Sequence, residues 1–175
     1  MDSSEEVESN DFKRQREFVI SLAKAFKVSE RGVRASVVTY GNFSRPTVQF
    51  KDSTDVNNFI NAMIRTSQIK GKRMMDKALL MAVRMFKNHN EVAPRAVILF
   101  TSGPHSGTLD QLKSASKRVK MIGARIYVVA IGSSVDDSQI GGLVNSSGDI
   151  RELPSFMDLQ SEIHFVGRHV SLLQG

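Results

Sequence analysis

Five apolar residues in a row, Ala96-Val97-Ile98-Leu99-Phe100, run straight into a loop of small residues, Thr101-Ser102-Gly103-Pro104-His105-Ser106-Gly107. An apolar run without alternation, bounded by turn residues, is the pattern of a strand covered on both faces, as in a parallel sheet. Arg125 to Gly132 repeats it. Between the two lies a helix at about 108–122 that Gly123 ends in the C′ manner, with Lys113, Lys117, Arg118 and Lys120 on its exposed face. In open α/β sheets the ligand crevice lies at the carboxyl ends of the strands. The loop after Phe100 is therefore where function is expected.

The rest of the chain reads as scaffold. Residues 11–27 form an amphipathic helix through Phe12, Val19, Leu22, Ala23 and Phe26. Val33–Tyr40 and Thr47–Lys51 alternate, so they predict an antiparallel pair with the second strand at an edge. Ser53 or Asp55 caps a short helix through Val56, Phe59 and Met63. A largely buried, methionine-rich helix follows at about 74–88, ended by Asn88-His89-Asn90. After the second apolar strand come a short helix (136–144), a short strand (150–153) and a last helix striped by Phe156, Leu159, Ile163, Val166, Val170 and Leu173. The expected fold is α/β, doubly wound, with a mostly parallel sheet and helices on both faces.

Bulk properties narrow the classes. A chain of 175 residues, 41% hydrophobic and 24% charged, is one ordinary soluble domain. No apolar run approaches a membrane span. The first eleven residues are acidic and polar, unlike a signal peptide. Without cysteine there is neither a disulfide nor a thiolate metal site. A net charge of +6 allows an acidic partner such as a sulfated glycan or nucleic acid, but a mildly basic domain is more often just soluble, and no nucleic-acid partner is expected. His89, His105, His164 and His169 are scattered, and His105 reads as loop surface. No nucleophile, base and orienting acid share a recognisable spacing, and neither phosphate-loop fingerprint occurs. The chain therefore reads as non-catalytic.

Four stretches resemble a von Willebrand factor type A domain, most closely the collagen VI type. They are Asp2-Ser3-Ser4-Glu5-Glu6-Val7 with Asn10-Asp11-Phe12 and Phe18-Val19; Val33 to Gly41; Gly71 to Leu79; and Pro94 to Gly103 with Gly123 to Gly132. The resemblance covers residues 1–175 as one domain. It implies strand order 3-2-1-4-5-6, with strand 1 in mid-sheet directly before Asp2. No such strand is present, and its loss would leave both neighbours unpaired. The chain is therefore expected to be an N-terminally truncated piece of a longer one, the alternative being that another segment or copy fills the slot.

The resemblance also implies a Mg²⁺ or Mn²⁺ site built from an Asp-x-Ser-x-Ser loop, a threonine and a later aspartate. Asp2 and Ser4 match it. Glu6 stands at the second serine position, Arg73 at the threonine and Ser102 at the aspartate. Arg73 offers no oxygen and would repel a dication. The expectation is a degenerate site without a metal cofactor, at most weak Mg²⁺ at Asp2 and Ser4, with Arg73 pairing to Asp2 or Glu6 as one alternative and pointing into solvent as the other. The implied function is a protein-interaction module of a secreted extracellular-matrix glycoprotein, acting in cell adhesion beside collagen-associated proteins. An intracellular scaffold domain of the same fold is the alternative. Asn42 and Asn145 begin glycosylation triplets. The basic helix face, with Lys70, Lys72 and Arg73, is a candidate for heparin-like chains.

Overall fold

A computed structural model describes residues 1–89 and 91–171, the last three by backbone alone; Leu173 of the expected stripe lies outside the described residues. The elements run α1 (Ser9–Ala25), β1 (Val37–Tyr40), β2 (Ser44–Val48), α2 (Val56–Ile64), α3 (Met75–Asn88), β3 (Arg95–Thr101), α4 (Leu109–Met121), β4 (Ala124–Ile131), α5 (Asp137–Gly141), β5 (Ile150–Leu153) and α6 (Ile163–Ser171).

β3, β4 and β5 pair in parallel, and β1 pairs antiparallel with β2. Alternation along β4 splits the core into two layers. Val129 and Ile131 pack with α1, α2 and α6 through Phe18, Leu22, Phe59, Met63 and Val166. Ile126, Val128 and Ala130 pack with α3 and α4 through Leu79, Val83, Leu112 and Val119. Each such aliphatic side chain, fully buried, contributes about 1.5–3 kcal/mol. Helices thus cover both faces of a doubly wound sheet.

Helix ends follow local chemistry. The Asp55 carboxylate accepts from the Asn57 and Asn58 amides to start α2. Thr108 and Gln111 form a capping box at the head of α4. Gly123, at φ 74°, carries the chain out of α4 into β4 in a left-handed conformation that glycine alone adopts freely.

The main differences from the sequence reading concern two strands and the last helix, and the short helix read at 136–144 spans only Asp137–Gly141. The first strand begins at Val37 rather than Val33, and its register shifts between Val37 and Val38. The second runs from Ser44 to Val48, taking in Ser44–Pro46 that read as connection, and Phe50–Asp52 turns as a 3₁₀ helix. The final helix starts at Ile163, because Phe156–Glu162 winds as 3₁₀, capped by Ser155 and Asp158.

The sheet is interrupted. β1–β2 and β3–β4–β5 are separate ladders, lying in the order β2-β1 and β3-β4-β5. Met1 to Ser3 reaches into the space between them. The Met1 amine donates to the Val38 carbonyl (2.8 Å), the Tyr40 amide to Met1 (3.1 Å) and the Ser3 amide to Tyr40 (2.8 Å). That is a parallel ladder, with Asp2 bridged to Tyr40. Ahead of α1, the described residues thus contribute one short bridge beside β1 and no named strand.

Candidate functional site at the carboxyl ends of the strands

Asp2 is fully buried at the top of this short ladder. Gln15 of α1 clamps its backbone, accepting from the Asp2 amide (2.9 Å) and donating to the Asp2 carbonyl (2.8 Å). Gln15 was not singled out from the sequence, although a polar residue on the apolar face of α1, between Phe12 and Val19, was a readable signal. Oδ1 of Asp2 accepts from the Ser4 amide (3.1 Å) and hydroxyl (2.8 Å). Oδ2 accepts from the Ser102 amide and hydroxyl, both at 3.0 Å.

Arg73 comes from the loop between α2 and α3 and joins these groups. Its Nε donates to Asp2 Oδ2 (2.7 Å), Nη1 to Glu6 Oε2 (2.6 Å) and Nη2 to Ser102 Oγ (3.2 Å). The guanidinium bridges two carboxylates rather than forking onto one. Its side chain is 2% exposed, whereas that of Glu6 is 69% exposed. The loop is fixed from both sides. The Arg73 amide donates to Ser106 Oγ (3.0 Å), and the Ser106 amide donates back to the Arg73 carbonyl (2.9 Å). On the other side the Lys70 amide donates to Ser3 (2.7 Å) and the Glu5 amide to Gly71 (2.9 Å).

Gly103 gives the guanidinium its room. A Cβ on it would sit 2.2 Å from Arg73 Nη1. Burial disfavours the Arg73 charge, but the Asp2 carboxylate and its hydrogen bond, with Glu6 beyond, more than offset this and hold the guanidinium above its ordinary value. Asp2, Ser4, Glu6, Arg73 and Ser102, 100 residues apart in sequence at the extremes, therefore form one connected network. Chemically, it is a buried ion pair whose exposed end is the Glu6 carboxylate.

Other candidates fall elsewhere. His105 is buried rather than loop surface. Its Nδ1 accepts from the Met75 amide (3.2 Å), and its Nε2 lies 3.8 Å from Asp76 Oδ1. Burial lowers its pKa, against the pull of Asp76. On α4, Lys113, Lys117 and Arg118 are exposed, but Lys120 is half-buried and donates to the Val144 carbonyl (3.3 Å). Arg73, being buried, does not belong to that basic face. Asn42 and Asn145 are both exposed, in the β1–β2 turn and after α5. Among the described residues, no three His, Cys, Asp or Glu side chains group closely enough to hold a metal ion, and no helix is long and apolar enough to cross a membrane.

Comparison with known proteins places this architecture. The chain is 25% identical over 145 residues to chicken (Gallus gallus) matrilin-1, covering 78% of this chain and 28% of the relative. It is 23% identical over 180 residues to the human (Homo sapiens) collagen alpha-6(VI) chain, covering all of this chain and 8% of the relative. The chain thus spans only a small part of these relatives. Among solved structures, proximal thread matrix protein 1 from the mussel byssus, with a zinc-occupied MIDAS motif, superposes with TM-score 0.84 at 20% identity, over 94% of this chain and 42% of that one. Manganese-loaded Plasmodium vivax TRAP protein gives TM-score 0.72 at 16% identity, over 93% of this chain and 69% of that one. The profile of the von Willebrand factor type A domain matches residues 1–164, and the chain belongs to that family.

Proposed function

We propose that this domain is a non-catalytic protein-binding module of an extracellular-matrix or adhesion protein, and that it binds without a metal ion. The observation that carries the second part is the Arg73 guanidinium, bonded at once to Asp2, Glu6 and Ser102. A hard dication needs several oxygens free to face it. Here both oxygens of Asp2 are committed to protein donors, and the space between Asp2, Glu6 and Ser102 is taken by a fixed positive charge. The residues present do not fit Mg²⁺ or Mn²⁺. Arg73 does the structural work of a cation, holding three loops together, and leaves no open coordination position for a partner's carboxylate.

The relatives support the first part: a matrilin, a collagen VI chain and a thread matrix protein by their names. Partner contact then runs through ordinary surfaces, with Lys113, Lys117 and Arg118 available to heparin-like chains and Asn42 and Asn145 open to glycans. The test is to secrete the domain from mammalian cells behind a leader and measure its retention on cell-laid matrix. Equal retention in EDTA and in Mg²⁺ is expected. Retention that EDTA abolishes would overturn the metal-independent reading, and a domain that matrix never retains would overturn the adhesion reading.

A further inference from the structure

α3 starts without a side-chain cap from its own N-cap residue, Met74. The first amide of the helix finds its acceptor 30 residues down the chain: Met75 donates to His105 Nδ1 (3.2 Å), and the ring is fully buried. With Nδ1 accepting, the neutral imidazole carries its proton on Nε2. The His105 amide donates to Gln139 Oε1 of α5 (2.8 Å), so the backbone is anchored and the ring is the part free to shift. Next to it, Ser106 and Arg73 exchange two hydrogen bonds and clasp the two rim loops together.

The other side of the ring is unsatisfied. His105 Nε2 and Asp76 Oδ1 lie 3.8 Å apart, and neither has a hydrogen-bond partner among the described residues. That separation is too long for an N–H···O bond. A protonated ring carries hydrogens on both nitrogens. Its Nδ1–H would meet the Met75 N–H donor to donor, while its charge would be drawn to the Asp76 carboxylate. The ring thus has two arrangements, and a proton selects between them. The groups facing it are Asp76 from α3, the Arg73 backbone from the loop before α3, the Thr108 backbone at the head of α4 and the neutral Gln139 of α5. Of these side chains, Asp76 alone carries charge. Burial holds the ring neutral against its pull, so the changeover lies on the acid side of the usual histidine value.

We propose that His105 is a positioning residue for the Arg73 loop and acts as a pH-sensitive latch on the rim. Neutral, it caps α3 through Met75 and keeps the Ser106 clasp in register, which fixes where the Arg73 guanidinium enters the rim. Protonated at Nδ1 from solvent, it leaves the Met75 amide for Asp76, the head of α3 loses its cap, and the Arg73–Ser106 clasp loosens. The inference rests on the reading of Arg73 as the rim's fixed cation and adds the condition under which that cation is held in place.

The experiment follows the ring-nitrogen shifts of His105 by NMR, together with amide exchange at Arg73, Met75 and Ser106, from about pH 7.5 to about pH 5. Exchange is corrected for the intrinsic rate at each pH and referred to Val128 in β4, which cancels global effects such as titration of the Met1 amine. The Nε2–H tautomer is expected at neutral pH. As His105 titrates, protection at Arg73 and Met75 should fall about tenfold relative to Val128, as for the loss of one helix cap. His105→Asn keeps an acceptor near the Nδ1 position and cannot titrate, so it should retain Met75 protection and abolish the fall. Asp76→Asn should move the His105 midpoint to lower pH. An Nδ1–H tautomer at neutral pH, titration of His105 with no relative loss at Met75 and Arg73, or a fall that persists in His105→Asn would each overturn the proposal. None of these readouts involves a metal, so they can fail while the metal-independent reading stands, and a metal-dependent melt would overturn that reading alone.

Discussion

The rim of the sheet and its middle face the same kind of deficit and meet it differently. At the rim, the buried Asp2 carboxylate needs positive charge and donors, and Arg73, Ser4 and Ser102 supply them. In the middle, the β3 edge needs a row of backbone partners, and among the described residues only Met1–Ser3 on the β1 side and one tyrosine hydroxyl reach in. The difference is one of geometry. A point charge can be balanced by a single side chain from a distant loop. A ladder of N–H and C=O groups repeating along a strand can be satisfied only by another strand. Among the described residues, side chains close the first deficit fully, while backbone pairing closes the second only on the β1 side.

The comparison can be broken first at the rim. Arg73→Ala strands the Asp2 charge in a buried site, and should cost about 3–5 kcal/mol in urea unfolding. A loss below about 1 kcal/mol would mean that the network carries no weight. The middle is probed next by pH. The Met1 amine has an ordinary pKa of 8.0 and about 5 when folded. Between those values the unfolded chain binds the extra proton, so stability should climb from pH 5 to pH 8, by up to about 4 kcal/mol. His105, held below its ordinary value by burial, adds in the same sense at the acid end. An N-terminal extension should flatten the Met1 share and leave that of His105.

A paired truncation sharpens the contrast within the sheet. Ile126→Ala in the closed half should cost about 2–5 kcal/mol. Ile98→Ala, at the interruption, should cost about 1 kcal/mol, because a half-exposed side chain has less burial to lose. The smallest effect belongs to the surface. Lys113→Glu with Lys117→Glu should move stability by no more than about 0.5 kcal/mol, while abolishing retention on a heparin column if that face binds glycans.

Much of this was legible in the sequence, for identifiable reasons. Unbroken apolar runs gave β3 and β4, and 3.6-residue spacing gave α1 and α4, because burial on two faces or on one leaves a direct trace in residue order. Val33–Ser36 misled because its alternation is that of a strand, yet β1 pairs with β2 only from Val37, where the register shifts. Phe156–Glu162 misled because 3₁₀ and α spacings share their i, i+3 contacts. The rim residues could be placed by resemblance, but their bonding could not. That Arg73 turns inward rests on Gly103 giving it room and on Ser106 holding its backbone, which are contacts across some thirty residues. His105 looked like loop surface because the packing of α3 against its loop leaves no trace in the local pattern.

The most direct test of the account is a thermal melt in EDTA and in millimolar Mg²⁺ or Mn²⁺, run on the native chain and on the double variant Arg73→Thr, Ser102→Asp. A cation that binds the folded state raises the midpoint with the logarithm of its concentration over its dissociation constant. With Arg73 standing in for the ion, the native chain melts at one temperature in all three conditions, and the double variant gains stability from the metal. A clear upward shift of the native chain in Mg²⁺ or Mn²⁺ would contradict this and return Asp2, Ser4 and Glu6 to the role of metal ligands.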